Sequence, residues 1–128
     1  APYGSIDRPF DACGLAEAAG ATYVARSTAY HEKHLVDMIA GGFDNKGFSF
    51  IEAMVQCPTA YGRKNKMGSP ANMLKWMRDN AVMKAAWDKL PDDKKTGEKF
   101  PIGLFYQTTA TDYDTAYDEV IERAGGAK

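Results

Sequence analysis

Cysteine is scarce in this chain: its 128 residues include two, Cys13 and Cys57, and they form no CxxC spacing. That excludes a disulfide framework and any metal site closed by thiolates of this chain alone. Long apolar runs are missing too. No stretch approaches the roughly 20 residues that span a bilayer, and the chain does not open on a basic stretch followed by an apolar one. The expectation is a soluble, non-exported, cytoplasmic protein without a membrane partner. Charge of one sign is absent as well, since 16 Lys and Arg stand against 17 Asp and Glu for a net charge of −1. No long-range field therefore draws the molecule toward nucleic acid or an anionic surface, and any basic site must be local. There is no internal repeat and no low-complexity segment. An initiator methionine is missing, since the chain opens Ala1-Pro2-Tyr3; the expectation is a processed protein or a piece cut from a longer polypeptide.

What is present suits one compact unit. The apolar share is 45%, enough for a single core over residues 1–128. Pro2, Gly4 and Pro9 make residues 1–10 an irregular lead-in along the surface. From Asp11, the run DACGLAEAAGA has helical spacing, a cap at its start and Gly20 at its end. Thr22-Tyr23-Val24-Ala25 reads as a buried strand. After Ser27 and Thr28, either of which can cap a helix, Leu35, Met38 and Ile39 recur at helical spacing up to Gly41-Gly42. Gly47 to Val55 is apolar almost throughout, which predicts a strand covered on both faces. Strand, helix and strand at this spacing make a βαβ unit, so the predicted class is α/β with a parallel sheet. Ser69-Pro70 caps a helix running to about Leu90 with a break near Asp79-Asn80-Ala81. The charged stretch PDDKKTGEKF is a turn, Ile102 to Tyr106 a strand, and Thr111 to Arg123 a helix before a fraying glycine-rich end.

In a parallel sheet, ligands sit beyond the carboxyl ends of the strands. Two loops lie there: Arg26-Ser27-Thr28, and QCPTAYGRKNKMG from Gln56 to Gly68. The second joins Cys57 to a basic run of Arg63, Lys64 and Lys66. Each candidate has a plainer reading beside the functional one. A lone Cys57 is commonly a small buried apolar residue, and a basic run is commonly a solvated loop. Cys13 sits among alanines and reads as core. His31 and His34 titrate near neutrality but show no nucleophile or carboxylate partner. Arg26 and Thr28 stand at a strand end, where Thr28 is equally a helix cap. Asp92-Asp93 and Asp112/Asp114 read as acids at turns and helix starts rather than as acid–base pairs.

The segments IDRPFDACGLAEAAGATYVARSTAYHEKHL and KGFSFIEAMVQCPTAYGRKNKMGSPANMLKW resemble the beta subunit of 2-oxoacid:ferredoxin oxidoreductases, most closely its 2-oxoglutarate branch. The resemblance runs from about Pro2 to about Trp76, and the words AGATYVAR, KGFSFIE, QCPT, YGRKNKMGSP and MLKW are specific in combination. It implies the carboxy-terminal part of a thiamine-diphosphate-binding domain. Such enzymes oxidatively decarboxylate a 2-oxoacid on thiamine diphosphate with Mg²⁺, pass electrons singly through a [4Fe-4S] cluster to ferredoxin, and form an acyl-CoA. The cluster needs four thiolates, and the resemblance gives the one just after a core strand to Cys57. Pro58 stiffens the exit from that strand.

The family holds the diphosphate and Mg²⁺ with a GDG-type motif followed at a distance by an Asn, and neither is present here. The Asp and Asn are expected on a segment preceding Ala1, so this chain shapes the pocket without closing it and is inactive alone. The implied partners are the alpha subunit, the remainder of the beta subunit, ferredoxin, coenzyme A and the 2-oxoacid. An acidic ferredoxin is the natural match for Arg63, Lys64 and Lys66. The alternatives are a non-catalytic binding or regulatory module that has lost the cofactor motif, and a separately encoded subunit of a split oxidoreductase. The substrate is read as 2-oxoglutarate, with pyruvate and branched-chain 2-oxoacids open.

Overall fold

A computed structural model describes residues 6–95 and 98–126. The first half of the expected lead-in, including Pro2 and Gly4, lies outside the described residues, as do Thr96 and Gly97 of the charged turn and the last two residues of the fraying end. Residues 6–10 are exposed coil.

The order of elements is α1 (Ala12–Ala18), β1 (Tyr23–Thr28), α2 (Glu32–Asp44), β2 (Ser49–Met54), α3 (Pro70–Asn80), β3 (Ala81–Met83), α4 (Lys84–Trp87), β4 (Phe100–Gln107) and α5 (Tyr113–Arg123). The sheet order is β2-β1-β4-β3. β1 and β2 run parallel around the α2 crossover, from Tyr23 opposite Ser49 to Thr28 opposite Met54. The α/β class and this βαβ unit match expectation, but the sheet is mixed rather than parallel. β4 pairs antiparallel with β1, with a bulge between Val24 and Ala25, and parallel with the short β3.

β1 is the centre of the molecule, with both faces covered as its alternating side chains require. Val24 turns to the α1 side, joining Cys13, Ala16 and Ala21, with Phe50 and Phe105 packed against them. Tyr23 turns to the α2 side, where its hydroxyl donates to the Met38 carbonyl at 3.0 Å.

Three expectations are corrected. α2 does not stop at Gly41-Gly42. It runs through both, because these glycines let the helix lie close on the sheet: a Cβ on Gly41 would stand 2.7 Å from the Tyr23 hydroxyl, and one on Gly42 would stand 2.7 Å from Ile51 Cδ1. The α2 cap position is His31, not Ser27 or Thr28, which belong to β1. β2 is half-buried rather than covered throughout, because it is the outermost strand among the described residues. The helix opening at Ser69-Pro70, where the Ser69 hydroxyl accepts from Asn72 N–H at 3.2 Å, breaks at Asn80 as expected. The chain then becomes strand β3 before helix resumes.

No helix among the described residues is long and apolar enough to cross a membrane.

Candidate functional site

The parallel strands β1 and β2 end side by side, tied by Ala29 N–H donating to the Met54 carbonyl at 2.8 Å. Three residues beyond Met54 lies Cys57, exposed and unpaired. Pro58 to Gly62 then form a single π-helical turn with Cys57 at its cap position, closed by Gly62 N–H donating to the Cys57 carbonyl at 2.8 Å. Such turns are rare and are found often at functional sites. Gly62 is needed where it stands, since a Cβ there would meet Met73 Sδ at 2.6 Å.

The backbone N–H groups of Tyr61 and Ala60, then the hydroxyl and N–H of Thr59, hold the Cys57 thiol below its ordinary value of 9.0 by favouring the thiolate. A thiolate is the form that ligates metal, and N–H groups directed at cluster sulfurs are one means by which a protein sets a cluster's potential. As a donor set, Cys57 therefore fits one position on an iron–sulfur cluster. The described residues contain no group of three or more His, Cys, Asp or Glu side chains able to hold a metal ion. Cys57 could offer a single thiolate, and any such cluster would need its other ligands from elsewhere.

Beside Cys57 lies a cavity of about 350 Å³ walled by Met54, Tyr61, Met67, Met73 and Trp76. Its wall is largely apolar, and the hydrophobic surroundings of a metal site are one means of tuning its potential. Arg63, Lys64 and Lys66 follow the turn and are all exposed. No ion pair among the described residues engages them. Lys66 has a left-handed φ of 54°, which bends the chain sharply toward Gly68. The structure thus brings Cys57 and the basic run onto one loop.

The other candidates are bound into the scaffold. Cys13 is buried, its thiol donates to Glu52 Oε2 at 3.3 Å, and burial pushes it up to about 12. Arg26 does not present its charge to a ligand. It pairs with Glu52 at 2.8 Å and Asp11 at 3.7 Å and lies 5.0 Å over the Phe105 ring. Asp112 caps α5 by accepting from Thr115 N–H at 2.8 Å, and Asp92 pairs with Lys95 at 3.2 Å.

Sequence reasoning missed what His31 and His34 do. Each packs its Nδ1 2.8 Å from a buried hydroxyl at the end of β1, His34 on Ser27 and His31 on Thr28. Burial, then the neighbouring His34, holds His31 below its ordinary value. The signal was the recurrence of Ser27 and His34, and of Thr28 and His31, across a strand end and the first turn of a helix.

The two thiols should therefore differ widely in reactivity. In cluster-free protein, iodoacetamide should label Cys57, with a pH midpoint below the ordinary thiol value, and leave Cys13 unmodified until the protein is denatured. Peptide mass spectrometry after labelling at several pH values checks this; equal labelling of both would contradict it.

No family model matches the chain. It is 44% identical over 126 residues to the 2-oxoglutarate synthase subunit KorB of Methanothermobacter marburgensis, covering 98% of this chain and 44% of that protein. It is 31% identical over 121 residues to the 2-oxoacid:ferredoxin oxidoreductase subunit beta of Saccharolobus solfataricus, covering 83% of this chain and 38% of that one. The fold matches a 2-oxoglutarate:ferredoxin oxidoreductase from Magnetococcus marinus, solved with 2-oxoglutarate, coenzyme A and succinyl-CoA bound. The TM-score is 0.69 and the identity 27%, over 98% of this chain and 43% of that one. The chain thus spans less than half the length of the relatives it matches. Near-complete coverage of this chain at these identities, together with the shared fold, places it in the beta-subunit family of the 2-oxoacid:ferredoxin oxidoreductases.

Proposed function

We propose that this chain is the part of a beta subunit that supplies one thiolate, Cys57, to a [4Fe-4S] cluster and carries the loop beside it. The observation that carries the reading is the Cys57 turn, an exposed thiol three residues beyond a core strand at the cap position of a π-helical turn closed on the Cys57 carbonyl. The assembled enzyme oxidatively decarboxylates a 2-oxoacid, with 2-oxoglutarate the proposed substrate, to an acyl-CoA and carbon dioxide. The two electrons released leave one at a time to ferredoxin. Thiamine diphosphate supplies the carbanion-stabilising chemistry of such a reaction when bound. Nothing in this chain's sequence offers the GDG-type motif for its Mg²⁺, so the chain contributes the cluster ligand, its apolar wall and the basic loop. The test is anaerobic turnover of the complete alpha–beta complex. The expectation is ferredoxin reduction that needs coenzyme A and is faster with 2-oxoglutarate than with pyruvate or branched-chain 2-oxoacids. No reduction with any of them would overturn the reading.

Arg63, Lys64 and Lys66 are proposed to receive the acidic ferredoxin close to the cluster. Fields of this kind raise association rates by about 10- to 1,000-fold at low salt. Reversing all three to Glu should therefore raise the KM for ferredoxin about 10-fold or more at low salt, with a smaller effect at high salt. Reduction of a small uncharged dye should be unchanged. An unaltered KM would assign the loop to solvent.

A further inference from the structure

Trp76 is the aromatic side chain of α3, and contacts from outside the helix hold it. Its indole N–H donates to Glu98 Oε2, and its ring stacks on Phe100 with centroids 5.6 Å apart and planes 25° from parallel. The indole thus has both contacts its chemistry asks for, an acceptor for the N–H and a second ring beside it. Glu98 is exposed in the turn before β4, and Phe100 opens that strand. β3 follows α3 directly and pairs with β4, Ala81 lying opposite Phe100. Trp76 is therefore seated on the residue that also receives the end of its own helix. The start of the helix is placed independently, by the Ser69 cap and by Met73, whose Sδ lies close over Gly62 of the Cys57 turn. Between these two anchorages Trp76 faces the cavity that Cys57 also lines, together with Met54, Met67 and Met73.

We propose that Trp76 lowers the reduction potential of the cluster on Cys57, and that Glu98 and Phe100 are positioning residues that act through it. This rests on the reading of Cys57 as a cluster ligand. A [4Fe-4S] cluster on four thiolates gains a negative charge when it is reduced, and apolar surroundings disfavour the added charge. Solvent exposure is accordingly among the features that set such potentials. Trp76 is the largest apolar side chain around the cavity, and residues distant in sequence fix its place. Putting a polar group in the wall, or releasing the ring from its contacts, should therefore raise the potential. A low potential is what a donor to ferredoxin needs, since electrons pass spontaneously only toward the higher potential.

The midpoint potential of the cluster in the complete alpha–beta enzyme, titrated anaerobically and followed by the EPR signal of the reduced form, tests this. Trp76→Gln should shift the equilibrium about 10-fold toward the reduced cluster, which is about 59 mV upward for one electron. Trp76→Phe keeps an apolar ring over Phe100 and should stay near the wild-type value. Glu98→Ala should move the potential in the same direction as Trp76→Gln. Glu98→Gln keeps an acceptor for the indole N–H and should restore it. Glu98 is exposed, so both of its variants should fold even where Trp76→Gln does not. Both also remove the carboxylate, which separates the position of the ring from the charge beside it. Unchanged potentials in Trp76→Gln and Glu98→Ala would overturn the proposal, and so would equal shifts in the two Glu98 variants. A lower urea midpoint without any change in potential would reduce Trp76 to a packing residue. Iron content that survives Cys57→Ser would overturn the proposed function itself, whereas a cluster lost in Cys57→Ser but indifferent to Trp76 and Glu98 would overturn this inference alone.

Discussion

Replacing Cys57 by serine in the assembled enzyme is expected to abolish ferredoxin reduction while thiamine diphosphate binding largely persists. Oxygen in place of sulfur removes a soft thiolate ligand, and iron–sulfur clusters are held by such ligands. Changes to the partners behind a ligand cost about 10- to 100-fold in metal affinity or activity, and loss of the ligand itself should exceed that. The turn should survive, because it is closed by main-chain atoms, with Gly62 N–H on the Cys57 carbonyl. Three readings on one sample separate the outcomes: iron per beta subunit and ferredoxin reduction should fall, and thiamine diphosphate stoichiometry should hold. Full retention of the cluster would remove Cys57 from the ligand set. Loss of all three would mark the substitution as a folding defect, and Cys57→Ala would then be compared with it.

The second large effect is on stability. Gly47→Val should destabilise the beta subunit by about 3 to 5 kcal/mol, the sum of a positive-φ penalty and the loss of buried hydrogen bonds. Gly47 stands at φ 112°, and a Cβ there would lie 2.4 Å from Thr22 Oγ1. Thr22 is 5% exposed and cannot step aside. Its hydroxyl lies 3.1 Å from both the Lys46 and the Phe48 carbonyls and accepts from Asn45 Nδ2 at 3.0 Å. Its backbone accepts from Thr108 N–H at 2.8 Å. One residue thus ties the start of β1, the turn between α2 and β2, and the end of β4. The predicted loss is a large part of the roughly 5 to 15 kcal/mol that holds a typical domain together. Gly20→Ala is the control, since Gly20 also has a positive φ, 96°, but nothing lies within 4 Å of a Cβ there. It should cost about 1 kcal/mol from backbone conformation alone. Urea unfolding of both variants checks the contrast, and equal losses would contradict the role given to Thr22.

The parts of this fold that were legible in the sequence are those where local pattern and tertiary role agree. Asp11, Ser69 and Asp112 all cap helices through their side chains, as short polar residues before apolar spacing suggest. The βαβ unit followed from two apolar runs flanking a helical one. Glycine misled where its role was packing. Gly41-Gly42 looks like a stop, but the residues they approach, Tyr23 and Ile51, are distant in sequence. The direction of β4 was not legible, because strand periodicity is the same in parallel and antiparallel pairs, and the bulge at Val24 and Ala25 leaves no local mark. β3 was hidden inside a helical pattern, and only pairing with Phe100 to Ile102 makes Ala81 to Met83 a strand. At the site, the QCPT and YGRKNKMG words pointed to the Cys57 loop. The π-helical turn that follows Cys57 is one that no spacing rule announces.

The most direct test of the central claim is denaturing mass spectrometry of the protein purified from its native source, followed by sequencing of whatever polypeptide carries or accompanies these 128 residues. The expected result is polypeptide bearing a GDG-type motif and additional cysteines, either continuous with this segment or held to it. A folded, stable chain of these residues alone, with no such polypeptide, would contradict the claim and leave a bare domain with no cluster to ligate.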